Sequence, residues 1–170
     1  MNALLEKPAP DAKAKTENPA KKIILLVDDD PAIRQILVRL LAEEDYLVLS
    51  AANGVEALSF ADAAPLDLVL LDLNMPVKDG WQTFEELSFK HPELPFILIT
   101  ARPNQLFPAM ASGVGALLEK PLDFAKLFST IHSLLEEPVE MRLARLAGRS
   151  IEFRYVPPVT NPPERRAHSK

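Results

Sequence analysis

Cysteine is absent from this 170-residue chain. No disulfide framework, thiolate metal site or thiol nucleophile can therefore contribute to its structure or its chemistry. Long apolar runs are missing as well. None approaches the roughly 18 residues that a membrane-spanning helix requires, and the first ten residues lack the apolar core, roughly 7–15 residues long, of a secretory signal. A cytoplasmic protein with no membrane contact is expected. Basic charge is scarce in the middle of the chain, where residues 23–137 carry 18 acidic and 7 basic side chains, a net of −11. Residues 1–22 have a net charge of +2 and residues 138–170 a net of +4. An acidic body repels nucleic-acid phosphates and attracts cations. Arg165 and Arg166 are too few to form a basic patch in the tail, so no direct nucleic-acid binding is expected.

What is present suits a globular fold. Hydrophobic residues make up 48% and charged residues 25% of the chain, and its length allows one ordinary domain with some residues to spare. Residues 1–21 are rich in Ala, Lys and Pro without a sustained apolar period, which predicts a disordered lead-in. Residues 22–137 read as the folded domain. Residues 138–170 read as an extension: a short helix over 139–147 ended by Gly148, then Ile151, Phe153 and Tyr155 alternating with polar residues like one strand, then a Pro-rich disordered tail. A lone strand needs a sheet edge or another chain to pair with. A partly disordered basic tail is the alternative.

Within the domain, five strand–helix units follow one another. Residues 23–27 form a continuous apolar run, the mark of a strand covered on both faces. Asp30 and Pro31 then suit an N-cap and a first helical turn, and Ile33, Ile36, Leu37, Leu40 and Leu41 follow at helical spacing. Strands are predicted at 46–49, 68–71, 96–99 and 116–118. Between them the helices carry Val55, Leu58 and Ala61, then Phe84, Leu87 and Phe89, then a short segment at 106–112, and finally Phe124, Leu127, Phe128, Ile131, Leu134 and Leu135. Alternation of this kind implies a doubly wound α/β fold, a five-stranded parallel sheet with helices on both faces. Its active site belongs at the carboxyl ends of the strands, and Asp28, Asp72, Thr100 and Lys120 all fall at or just after such ends.

Capping explains Asp30 but not Asp28 and Asp29. Carboxylates brought close together repel unless a cation sits among them or one is protonated. Magnesium, a hard ion held by one or two carboxylates, waters and phosphate oxygens, fits that need. The expected ligands are Asp29, Asp72 and the backbone carbonyl of Asn74, with Asp28 acting through water. Lys120 offers a cation to Asp72 or to a phosphoryl oxygen, and Thr100 offers a hydroxyl. Each residue alone has an ordinary reading, as a turn aspartate, a surface lysine or a strand threonine. The set does not.

Leu-Val-Asp-Asp-Asp-Pro at 26–31, Asp-Leu-Asn-Met-Pro-Val-Lys-Asp-Gly at 72–80, Thr-Ala at 100–101 and Lys-Pro at 120–121 resemble the receiver domains of two-component response regulators. The resemblance covers residues 22–137 and implies a flavodoxin-like strand order 2-1-3-4-5. It implies that Asp72 takes a phosphoryl group from a histidine kinase or a histidine phosphotransfer protein with Mg2+ bound, that Lys120 and Thr100 assist, and that a downstream protein target reads the result. A homodimer is compatible with it.

The sequence departs from the family at Leu117, where an aromatic residue usually stands three positions before the lysine, and in a short interval from Thr100 to Lys120 that contains Pro103 and Pro108. A curtailed or irregular fourth helix is expected. Asn74 and Arg102, two residues after Asp72 and Thr100, are candidates for flanking the path of attacking water, with plain loop roles as the alternative. Two other functions are alternatives. A pseudo-receiver would keep the fold and signal without phosphate. An aspartate-nucleophile phosphohydrolase would place a second acid two residues after its nucleophile, where this chain has Asn74.

Overall fold

The computed structural model describes residues 21–76, 79–149 and 152–160. The expectations for residues 1–20, for Ile151 and for the tail from 161 onward lie outside the described residues. The elements run β1 (Ile23–Val27), α1 (Pro31–Glu43), β2 (Leu47–Ala51), α2 (Gly54–Ala63), β3 (Leu68–Asp72), α3 (Gly80–Lys90), β4 (Phe96–Thr100), α4 (Leu106–Ser112), β5 (Ala116–Glu119), α5 (Phe124–Leu135), α6 (Val139–Leu146) and β6 (Arg154–Val156). All strand pairs are parallel and the sheet order is β2-β1-β3-β4-β5-β6. The expected order of the first five strands holds. The sheet, however, has six strands rather than five, because the C-terminal strand pairs with the edge of β5.

The apolar runs of β1, β3, β4 and β5 are continuous because both faces of the sheet are covered. Leu25, Val27, Val69, Leu71, Leu98 and Leu117 point to one face, where they meet Ala57 and Ala61 of α2, Phe84 and Leu87 of α3 and Ala109 of α4. Ile24, Leu26, Leu68, Leu70, Ile97, Ile99 and Leu118 point to the other, against Leu37 and Leu41 of α1 and Leu127, Ile131 and Leu134 of α5. Strand alternation thus divides one apolar run between two cores. Phe84 and Phe96 meet edge to face with centroids 5.1 Å apart, and this contact fixes α3 over the sheet.

Helix starts follow their sequence signals. The Asp30 carboxylate accepts from the amides of Ala32 and Ile33 with Pro31 in the first turn. Asn53 caps α2 in the same way. The fourth helix is short, as expected, with seven residues. Pro108 sits in its first turn, where an amide has no intrahelical partner to lose. Several side chains expected inside are exposed instead: Ile36, Val55, Phe89 and Phe124. In α2 the buried positions are Gly54, Ala57 and Ala61, so the small side chains face the sheet and Val55 faces away. Among the described residues no helix is long and apolar enough to cross a membrane.

The segment after α5 is built in by charge. Arg145 of α6, 5% exposed, donates to both oxygens of Glu137 at 2.6 and 2.8 Å and to the Gly113 carbonyl. Arg142 donates to the carbonyls of Glu93, Leu134 and Glu137. Burial alone would raise the Glu137 pKa. The hydrogen bonds and charge of Arg145, with the charges of Arg154 and Arg142, outweigh burial and hold it below the ordinary value.

Candidate functional site

Backbone bonds between neighbouring strand ends assemble the carboxyl edge of the sheet. The Asp28 amide donates to Ala51, that of Leu73 to Ile99 and that of Lys120 to Thr100. The first joins the tip of β1 to β2 and the other two join β3, β4 and β5; the parallel pairing of β1 with β3, Val27 beside Leu71, connects the two groups and brings Asp28, Asp72, Thr100 and Lys120 together. Asp28 and Asp72 are nearly inaccessible at 1% and 2% exposure, and Asp29 beside them is exposed.

The Lys120 ammonium lies between the two buried carboxylates, donating to Asp28 Oδ2 at 2.9 Å and to Asp72 Oδ2 at 2.7 Å. The other oxygen of each is held by the chain's own backbone: Asp28 Oδ1 accepts from the Asp30 amide and Asp72 Oδ1 from the Asn74 amide. Burial would lower the lysine pKa, but the bonds to Asp72 and Asp28 and their negative charge raise it, so the amine stays charged. Burial raises the Asp28 pKa, and the Asp72 charge adds to it, against the opposing effects of Lys120 and the Asp30 amide.

Thr100 is fully buried at the end of β4. Its hydroxyl accepts from the Arg102 amide at 2.9 Å and lies 3.4 Å from Asn74 Oδ1. The rim residues Asn74 and Arg102 are therefore tied to Thr100, Arg102 through its backbone.

Carboxylate oxygens of Asp28, Asp29 and Asp72 all lie within 4.8 Å of one another. Three hard oxygen donors at this spacing fit a divalent cation of the magnesium type. Two features of the site arise only in the tertiary structure. Arg34 of α1 donates to the Asp28 carbonyl at 2.6 Å and so braces the peptide between Asp28 and Asp29. Gly80 opens α3 against β3, and a Cβ there would collide with the Asp72 carbonyl oxygen and the Leu73 Cα. Asp-Gly at the start of a helix reads as an N-cap and its neighbour; the close approach that excludes a side chain is a tertiary fact.

Beside Lys120, Ile33, Ile36 and Leu37 of α1 face Pro121, Leu122 and Phe124 across a shallow apolar groove.

Comparison with known proteins agrees with this architecture. The family model described as "Response regulator receiver domain" matches residues 24–132. The transcriptional regulatory protein GlrR of Escherichia coli is 37% identical over 116 residues, which cover 67% of this chain and 26% of that protein. The transcriptional regulatory protein CpxR of Klebsiella pneumoniae is 40% identical over 114 residues, 66% of this chain and 48% of that one. This chain thus spans between about a quarter and a half of the curated relatives it matches. Among solved structures, a CheY-like receiver domain protein of Methanospirillum hungatei matches with a TM-score of 0.65 and 28% identity, over 69% of this chain and 95% of that one. The response regulator TrrA of Thermotoga maritima, in complex with Mg(2+)-BeF, matches with a TM-score of 0.63 and 34% identity, over 66% and 98% of the two chains. With the family model covering well over half of its length, this chain belongs to the response regulator receiver domains of two-component systems.

Proposed function

We propose that this protein is a phosphoacceptor switch in which the Asp72 carboxylate takes a phosphoryl group from a partner phosphohistidine. The observation that carries this reading is the Lys120 ammonium set between Asp28 and Asp72, with Asp29 completing a cluster of three carboxylates. Asp28, Asp29 and Asp72 would hold Mg2+, with the backbone carbonyl of Asn74 as a further ligand. When bound, that ion supplies positive charge among the carboxylates and phosphoryl oxygens.

The chain's own residues do the rest. A carboxylate oxygen of Asp72 attacks phosphorus, the P–N bond breaks, and its electron pair leaves on the imidazole nitrogen of the donor. Lys120 offsets charge on the transferring group, and the two fixed backbone bonds to Asp28 and Asp72 hold the reacting geometry. The Thr100 hydroxyl is positioned to meet a phosphoryl oxygen by giving up its contact with Asn74. Water later hydrolyses the acyl phosphate, returning Asp72 to its carboxylate. The donor is a histidine kinase or a histidine phosphotransfer protein, and the apolar groove between α1 and the start of α5 is a docking surface beside Lys120. The output is a change in binding to a downstream protein.

A pseudo-receiver that signals without phosphate is the second reading, favoured by one observation: Leu117, fully buried, stands where the family usually has an aromatic residue. A titration separates the two. Beryllofluoride with Mg2+ mimics the acyl phosphate, and the single tryptophan, Trp81 at the start of α3, serves as a fluorescence reporter. Saturable binding that is lost in Asp72→Asn supports the phosphoacceptor. Absence of binding by the folded wild-type protein supports the pseudo-receiver.

A further inference from the structure

The family match ends at residue 132, yet the chain continues through α6 and β6 and ends its described course on the loop that carries Lys120. The root of this extension is firm. Arg145 is buried with Glu137, and the start of β5 is packed so closely that a Cβ on Gly115 would meet Leu134 and Arg145. Its far end is lightly held. β6 is three residues long and pairs Arg154, Tyr155 and Val156 with Ala116, Leu117 and Leu118 of β5. Val156 is buried against the core on the α1 and α5 side, whereas Tyr155 is 40% exposed.

Two contacts of this far end fall on the immediate neighbours of Lys120. The Tyr155 hydroxyl faces the Glu119 carboxylate, whose charge acts on it, and the Val159 amide donates to the Pro121 carbonyl at 3.0 Å. The extension therefore grips the chain on both sides of the lysine that bridges Asp28 and Asp72.

Resting on the phosphoacceptor reading, we propose that α6 and β6 form a tethered regulatory element: β6 is docked while Asp72 is unmodified and is loosened when a phosphoryl group occupies it. A phosphoryl group interposes phosphorus and its oxygens between Asp72 and the amine, and adds about −1.5 to −2 of charge by analogy with other phosphorylated side chains. Lys120 must leave its present bond to Asp72 Oδ2 and meet oxygens placed elsewhere. Glu119 and Pro121 move with it, and the two latch contacts are the first to feel that movement. A three-residue strand with one exposed aromatic lies at the low-stability end of a structure, the end from which switching elements are drawn. Linkage makes the effect reciprocal: a docked β6 opposes modification of Asp72, and an undocked β6 favours it. The firm root keeps the released strand close to its site.

The test uses the full chain, Mg2+ and beryllofluoride. Amide hydrogen exchange is measured at residues 154–156 and 159 with Mg2+ alone and with both additives, and beryllofluoride affinity is read from Trp81 fluorescence. Two variants weaken the latch without touching the site: Val159→Pro removes the amide donated to Pro121, and Tyr155→Phe removes the hydroxyl that faces Glu119. In the wild type, beryllofluoride is expected to speed exchange at the β6 amides about fivefold, and both variants are expected to bind beryllofluoride about fivefold more tightly. Should Val159→Pro lose protection in β1 and β3, Tyr155→Phe, which keeps every backbone donor, decides alone. Saturable binding by the wild type with unchanged or slower exchange in β6, or a wild-type affinity in the deciding variants, overturns the coupling and leaves the phosphoacceptor reading standing. No saturable binding by the wild type overturns that reading, and the coupling with it.

Discussion

The Lys120 ammonium lies 2.7 Å from the Asp72 carboxylate, across 48 residues of sequence, and this contact joins the ends of β3 and β5 through charge. The same amine reaches Asp28, so one cation is shared between two buried carboxylates.

Truncation of that lysine should expose the repulsion it relieves. Lys120→Ala is expected to lower stability by about 1–3 kcal/mol in chelator, because two buried carboxylates lose their counter-charge. Added Mg2+ should recover part of that loss through the same carboxylates. Urea melts in the presence and absence of Mg2+ measure both effects, and a loss that Mg2+ leaves untouched would contradict the shared-cation geometry.

Arg34 donates to the Asp28 carbonyl at 2.6 Å and so sets the peptide on which Asp29 sits. A hydrogen bond from a charged donor is worth about 1.5–3 kcal/mol. Arg34→Ala is expected to weaken Mg2+ binding roughly tenfold without unfolding the chain. Calorimetric titration checks this, and an unchanged affinity would show that the peptide needs no brace.

Substitution of Gly80 tests how tightly α3 is pressed against the nucleophile's strand. A methyl group there would meet the Asp72 carbonyl and Leu73 Cα, both backbone atoms with little freedom to yield. Gly80→Ala should cost about 1–3 kcal/mol as an overpacked contact. It should also reduce beryllofluoride binding by more than the stability loss explains, because the end of β3 is what moves.

The ion pair beneath α6 carries a pH signature. The folded Glu137 pKa lies below the ordinary glutamate value of 4.5, so across the interval between them the unfolded chain binds more protons than the folded one. Its contribution is therefore complete above about pH 4.5 and is lost as pH falls through the lowered folded value. Glu137→Gln should leave Arg145 buried without a counter-charge, cost about 3–5 kcal/mol at neutral pH and flatten the acid limb of the stability curve. Chemical denaturation at pH 3, 4, 5 and 7 reads the difference; an equally steep acid limb in the variant would assign the acid sensitivity elsewhere.

The residues that later met at the sheet edge were legible because each follows a strand, and strand ends in a parallel sheet share one rim. Asp28, Asp72, Thr100 and Lys120 needed no knowledge of packing beyond that. Asp30 as a cap and the shortness of α4 were equally local facts. The inward faces of helices were harder. Ala61 faces the sheet and Leu58 packs partly buried against it, as their spacing implies, but Val55 is exposed and Ala57 takes an inward position, because the close approach of α2 to the sheet favours a small side chain there. Ile36 and Phe124 are exposed because they line the groove beside Lys120 rather than a core. The partner of β6 had no local signal, since an alternating run pairs equally well with its own sheet or with another chain. Arg145 gave none either, because its burial depends on Glu137 and Gly113 meeting it in space.

Chemical trapping addresses the central claim most directly. The protein is incubated with Mg2+ and acetyl phosphate, reduced with borohydride, which converts an aspartyl phosphate to homoserine, and mapped by tandem mass spectrometry. Conversion confined to residue 72, and abolished when Mg2+ is chelated, is the predicted result. Conversion at another aspartate, or none in a folded protein that binds Mg2+, would contradict the assignment of Asp72 as the phosphoacceptor.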